Sequence, residues 1–364
     1  MIPKGKGFYI WKIMSCENGD PEAIAQAAYQ AGLTHVLIKI ANGIYDYNYD
    51  SSTRKDLVAP VANALHKRNI KAWGWHYVFG DLPKDEAKAA IRQINRIPLD
   101  GYVIDAESEY KGKYTPCRIF MQDLRNSLPD FPIALSSFRY PKYHMDLPWK
   151  DFLDRSDFNI PQVYWEQSHN PAYQLERTLT EFQTAVSPFR PIIPTAPAYC
   201  AGGWCPSAQE LIEFMNQALA LKMSAVNFWS WDYCRLKLPL LWNTIASFNW
   251  PSTPNPELNI IDQLFRLLNS QDISGVQNLY ADDAVHINAS RTIQGKHAIL
   301  GFYSQLLNQS LQGAYFEILD SSGNEQTRHF SWRATRDGIE IAHEEDTIGI
   351  SDQEIIYHYS SLNI

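Results

Sequence analysis

No stretch of the 364 residues reaches the roughly 18 uninterrupted apolar residues of a membrane span. The opening MIPKGKGFYIWKIM has too short an apolar core for a secretory signal. The chain is therefore expected to be soluble, with no membrane partner. Its five cysteines include no Cys-x-x-Cys pair, which excludes a zinc ribbon or a thioredoxin-type motif. No Lys/Arg-rich run appears and the formal net charge is -8, so nucleic acid is excluded as the expected partner. A glycine-rich phosphate turn after the first strand is missing, as is a His-x-His on that strand. The sequence thus points to no cofactor and no metal.

What the chain does have is aromatic weight, with 11 Trp, 20 Tyr and 16 Phe. Flat rings stack on the apolar faces of sugars and also build ordinary cores. The first 250 residues alternate short β-rich runs with amphipathic helical stretches, eight of each. The strands are expected at 7–12, 34–40, 70–79, 101–107, 132–137, 158–165, 191–195 and 224–231. Asp20-Pro21 supplies an N-cap and first-turn proline for the first helix, and a last helix near 239–248 completes the ring. Eight strand-helix units in this length fit a closed (β/α)8 barrel (TIM barrel) better than an open doubly wound sheet. Residues 251–257, within the proline-rich NWPSTPNPE, read as a linker, and 258–364 as a small α+β domain of helices packed on a curved, cone-like sheet.

Barrel enzymes carry their chemistry at the C-terminal ends of the strands. At the end of strand four, LDGYVIDAESEY places Val103, Asp105 and Glu107 on one face and Tyr102, Ile104 and Ala106 on the other. With the apolar face toward the helices, Asp105 and Glu107 point into the barrel mouth. There a carboxyl near aromatics and a second carboxylate keeps its proton near neutrality and can serve as a general acid. Glycosidic cleavage needs such an acid together with a nucleophile or stabiliser. The competing reading is a structural pair bonded to Lys39 or to backbone amides. Lys39, opposite in phase to Ile38 and Ile40, is expected to reach inward as a counter-ion that keeps Asp105 charged.

Other strand ends add candidates. Strand six puts Gln162, Tyr164 and Glu166 in one phase, where Tyr164 and Glu166 would orient a sugar or an attacking group, unless Glu166 is a surface residue. Strand three offers Trp73, Trp75, His76 and Tyr77, half of which must face the helices; Trp75 and His76 are the candidate ligand contacts. Strand eight ends with Trp229 and Trp231 as a stacking platform and Asp232 as a further acid. Two disulfides are conceivable, Cys200 with Cys205 and Cys16 with Cys234, against reduced buried thiols; both bonds together would place the protein outside the cytoplasm.

The run DGYVIDAE resembles the fourth-strand signature D-G-x-D-x-D-x-E of chitinase-like glycoside hydrolases of family 18, with Val103 standing at one aspartate position. The ordered set VLIKIANG, GWHYVF and VIDAE also resembles the family 25 lysozymes, whose first-strand aspartate has no counterpart in GFYIWKI. That likeness implies a glycosidase for a β-linked N-acetylhexosamine polymer of peptidoglycan or chitin type. Glu107 would be acid/base, and Asp105 would hold the acetamido group as internal nucleophile. A non-catalytic carbohydrate-binding barrel is the alternative. The C-terminal stretch, carried by LLNSQDISGVQNLYADDAVHIN, IQGKHAILGFYSQLL and IIYHYSSLNI, resembles SnoaL-like members of the nuclear transport factor 2 superfamily. This implies small-molecule binding, isomerase chemistry or a homodimer contact through that domain. Asp282, Asp283 and His286 would form its polar site, or else cap a helix and shape a turn.

Overall fold

The computed structural model describes residues 2–50, 53, 55–250, 260–324, 326–336 and 339–362. The chain divides into two compact units, Met1–Phe248 and Asn249–Ile364. The expected linker, 251–257, lies outside the described residues.

The first unit is a closed parallel barrel. Its eight strands are Gly5–Ile10, His35–Asn42, Lys71–Val78, Gly101–Ala106, Ile133–Phe138, Phe158–Gln162, Thr195–Pro197 and Ala225–Trp229. They pair in chain order, and strand one closes the ring by lying parallel to strand two (Gly7 opposite His35) and to strand eight (Gly7 opposite Asn227). Closure is tight at Gly7. A Cβ there would stand 2.2 Å from His35 Nε2, which itself meets Asn227 Oδ1 at 2.7 Å. Below this, Lys6 is buried and its ammonium donates to the carbonyls of Ile245 (2.7 Å), Ala246 (3.0 Å) and Phe248 (2.8 Å), tying strand one to the end of the last helix, Pro239–Ser247.

Local chemistry sets the ends of these elements. The Asp20 side chain accepts from the backbone of Glu22 and Ala23 to start helix Pro21–Gln30, and Ser207 with Glu210 forms a reciprocal capping box at helix Ala208–Ala220. Strand seven is shorter and later than expected, because Pro191 and Pro194 have no N–H for a ladder; Ile192 makes only a single bridge, to Asn159. Strand six stops at Gln162, where the Tyr164 N–H turns back onto the Gln162 carbonyl at 2.9 Å. Strand eight gives way at once to a helix, Trp231–Lys237. Inside the barrel, Tyr9, Leu37, Trp73, Trp75, Val103, Ala134, Phe158, Ile160, Ile193 and Ala225 form one core. Trp73 occupies the space a side chain at residue 101 would need, which is why glycine stands there.

The second unit has helices Ile260–Asn269, Ile273–Gln277 and Lys296–Gln305 against a six-stranded sheet. In spatial order the strands are Thr292–Gln294, Tyr280–Ile287, Glu354–Ser360, Ile339–Ser351, Thr327–Arg336 and Tyr315–Gly323. Register shifts interrupt four of the strand pairs; such bulges bend strands and curve the sheet around its apolar face. Among the described residues, no helix is long and apolar enough to cross a membrane.

Candidate functional site

Strand four delivers the acidic pair as alternation requires. Asp105 lies beside Tyr77 of strand three and Ser136 of strand five. Glu107, one residue past the strand, keeps an extended backbone (φ -125°, ψ -145°) and so stays in phase. Asp105 is buried and Glu107 half-buried. Gln162, at the end of strand six, spans both: its Nε2 donates to Asp105 Oδ1 at 3.1 Å and to Glu107 Oε1 at 2.9 Å. Two bonds from one nitrogen hold those oxygens no further apart than the sum of their lengths. Burial raises the Asp105 pKa well above the carboxylate range, and the Glu107 charge adds to it; Lys39 and Gln162 oppose without prevailing. Burial likewise raises Glu107, against the Gln162 bond. Burial thus shifts both carboxyls toward their protonated forms.

Aromatic side chains wall the mouth. Tyr9 is pushed above its ordinary pKa by burial and by Asp105. Its ring meets Trp75 at 6.0 Å and Trp229 at 5.5 Å. Trp229 is half-buried and also faces the exposed Trp11 at 6.3 Å between centroids. Tyr164 is half-buried over the same space, edge-on to Tyr199 at 5.5 Å. Tyr77 donates its hydroxyl to Glu109 at 2.7 Å.

Several expected contacts lie elsewhere. Lys39 does reach inward, but it makes no ion pair with Asp105 among the described residues. It sits over Tyr47 (4.5 Å), Trp75 (4.7 Å), Trp11 (5.8 Å) and Tyr77 (5.8 Å) and donates to Asn42 Oδ1 at 2.9 Å. Burial pulls its pKa down to about 8 although Asp105 acts the other way. Trp75 is a core residue, 2% exposed, with its indole N–H on the Ile10 carbonyl at 3.0 Å. His76 faces the helices, wholly buried between the Tyr102 hydroxyl (2.8 Å) and the Gly43 carbonyl (2.7 Å). Trp231 belongs to the outer layer, packed on Trp242 and Phe8 and donating to Glu17 at 2.9 Å. Asp232 accepts the Trp11 backbone N–H at 3.1 Å and holds the loop after strand one. Glu166 is exposed and takes the Tyr199 hydroxyl. The pair thus assembles with Tyr164, Trp229 and Lys39, whereas Trp75, His76, Trp231 and Asp232 are structural.

Gln162 carries more of the site than its alternation phase suggested, and Tyr9 went unsingled although its phase with Gly7 was legible. Of the two conceivable disulfides, Cys200–Cys205 is present and Cys16 and Cys234 are buried free thiols, as is Cys117. Among the described residues no group of three or more His, Cys, Asp or Glu side chains is placed to hold a metal.

In the second unit, Asp282 and Asp283 are exposed while His286 is buried, so the three do not meet. Asp282 pairs with Lys296 instead. The His286 ring lies 4.5 Å from that of His358, whose Nδ1 meets the Tyr280 hydroxyl at 2.6 Å and whose Nε2 meets Asp346 Oδ2 at 2.9 Å. The Tyr303 hydroxyl adds a bond to Tyr280 at 2.8 Å. Where His358 Nε2–H donates to Asp346, its Nδ1 accepts from the Tyr280 hydroxyl and Tyr280 accepts from Tyr303. Both His286 nitrogens are buried without a hydrogen-bond partner among the described residues. Burial, His358 and Arg291 together lower its pKa to about 2.

Residues 261–356 match the family model of the SnoaL-like domain. The C-terminal unit is a SnoaL-like domain. No curated protein matches the chain. Among solved structures, a candidate polyketide cyclase from Sinorhizobium meliloti is 18% identical, covering 29% of this chain and 94% of its own, with a TM-score of 0.25. A candidate isomerase of the SnoaL-like family from Agrobacterium tumefaciens is 17% identical over 29% of this chain and 95% of its own (TM-score 0.26). An NTF2-like protein of unknown function from Pseudomonas putida is 17% identical over 29% and 82% (TM-score 0.25). The matched residues span the helices and most of the six-stranded sheet of the second unit.

Proposed function

We propose that the barrel hydrolyses the glycosidic bonds of a β-linked N-acetylhexosamine glycan of peptidoglycan or chitin type, with retention. The observation that carries this reading is the Asp105–Glu107 pair bridged by Gln162 in an aromatic mouth. Glu107, which burial shifts toward its protonated form, gives its proton to the leaving oxygen as the bond to the anomeric carbon breaks. Asp105 orients the neighbouring acetamido group, whose carbonyl oxygen closes on that carbon. Water then opens the cyclic intermediate while the Glu107 carboxylate takes its proton. Retention follows from two inversions at the anomeric carbon, the first by the acetamido oxygen and the second by water. Tyr164 and Trp229 supply surfaces for the sugar faces. Glu107→Gln should lower release of reducing ends from the polymer by about 10²–10⁴-fold with the melting curve unchanged. Equal turnover by the variant would sink the assignment, and glycan binding without any release by the native chain would make the barrel a binding module.

A second reading rests on the SnoaL-like domain. The Tyr280–His358–Asp346 chain beside unpartnered His286 is the equipment of proton transfer on a small ligand, as isomerases and cyclases require. Under that reading, the full chain exchanges the α-protons of cyclohexanone with deuterated solvent, and His358→Gln abolishes it. Exchange no faster than in buffer counts against it.

A further inference from the structure

Beside the acidic pair, where strands five and six end, a cavity of about 550 Å³ opens, lined by Phe138, Arg139, His144, Gln162, Tyr164 and Arg177 among others. Its size falls within the roughly 300–1,000 Å³ of small-ligand sites. Gln162 belongs to both places: its amide nitrogen holds Asp105 and Glu107 while its side chain forms cavity wall. A sugar in the cavity would therefore adjoin the bond being cleaved.

The charges of the cavity are unevenly balanced. Arg177 is matched by Glu181 at 2.9 Å and lies over Tyr140, 3.9 Å from its centroid. Glu166 is the acidic wall residue, exposed and engaged by the Tyr199 hydroxyl. Arg139 lies over the same Tyr140 ring at 4.9 Å and feels the Glu166 charge, but no carboxylate pairs with it directly among the described residues. Its Nη1 is buried with no hydrogen-bond partner among those residues. His144, stacked on Phe138 at 3.7 Å, likewise has a buried Nδ1 without a partner. A buried guanidinium nitrogen left unbonded is costly, and a carboxylate is the group whose geometry a guanidinium matches best.

We propose that this cavity is a subsite for a carboxylate-bearing sugar, with Arg139 as the residue that recognises the carboxylate. The inference rests on the reading of the acidic pair as a cleavage centre and narrows its substrate to a glycan with acidic residues. The carboxylate could sit on a lactyl ether or on the sugar ring itself, and the two sources are separable by probe.

Binding to the full-length chain can be measured by calorimetry at pH 7 with N-acetylmuramic acid against N-acetylglucosamine, and with glucuronic acid against glucose. At least one acid should bind about tenfold or more tightly than its uncharged counterpart, and which one does identifies the source. The preference should weaken with added salt, fall toward unity in Arg139→Gln and partly survive in Arg139→Lys. Equal binding of acid and neutral sugar, no binding of any of the four, or a preference undiminished in Arg139→Gln would overturn the proposal. The comparison of sugars needs no variant, and none of these measurements depends on Glu107, so failure here is separate from failure of the cleavage assignment.

Discussion

Gln162 Nε2 stands 2.9 Å from Glu107 Oε1. That bond, and its companion to Asp105, favours the charged forms of both carboxyls against burial. Gln162→Leu removes the donor at similar volume and should raise the Glu107 pKa further. Because the first step needs protonated Glu107, activity falls as pH rises through that pKa. The alkaline limb of kcat/KM on a soluble glycan should therefore move to higher pH in the variant. A limb that stays or moves down would show that Gln162 does not tune the acid.

The barrel should lose stability in mild acid. Burial holds His35 and His76 down to about 4, whereas an unfolded chain titrates them near 6.5. Their folded values are depressed, so below pH 6.5 the unfolded chain takes up protons that the native barrel refuses. Stability is full above about 6.5 and falls until about 4, each histidine contributing on the order of 3 kcal/mol. Urea unfolding followed by tryptophan fluorescence at stepped pH should show this slope, reduced in His76→Gln. An unchanged slope in that variant would mean His76 is not buried neutral.

How much of this was legible in the sequence follows from what each residue type reports. Alternation of strands and helices reports backbone geometry directly, and it located all eight strands to within a few residues. The facing of the strand-three residues was not legible, because a barrel strand is buried on both sides. Trp73 and Trp75 against His76 then give no polar side to orient by; the phase became fixed only when Tyr102 and Gly43 claimed the imidazole. Glu166 and Trp231 were extrapolated past the points where strands six and eight end, and alternation says nothing beyond a strand. The phase of Lys39 gives its inward direction, but not its partners, which are four rings and Asn42 in place of a direct Asp105 pair. Asp282, Asp283 and His286 were grouped by proximity in sequence, but a register shift between Tyr280 and Val285 turns the acids outward.

In the SnoaL-like domain, His358 and Asp346 are both almost fully buried. Asp346→Ala leaves the His358 Nε2–H without its acceptor in a low-dielectric interior, and a buried donor left unsatisfied costs roughly 1–3 kcal/mol. Differential scanning calorimetry should show the transition of this unit displaced to lower temperature, with the barrel transition in place. A displacement of less than a degree would mean the pair contributes little.

Cysteine labelling has a definite expected count. In denaturant without reductant, Cys16, Cys117 and Cys234 should each take one alkyl group, and the Cys200–Cys205 pair none until reduced. Intact mass reads this directly; five groups before reduction would refute the bond. The double change to serine should cost the barrel up to about 2 kcal/mol, the loop-closure value for so short a ring.

The ammonium of Lys6 waits for acceptors 239 to 242 residues further along the chain. Made on a ribosome, the first strand emerges early, and the carbonyls that satisfy its lysine emerge almost a whole barrel later. Until then a charge destined for burial must remain in water, so the ring cannot seal before Phe248 has left the exit tunnel. Closure over such a sequence distance is intrinsically slow.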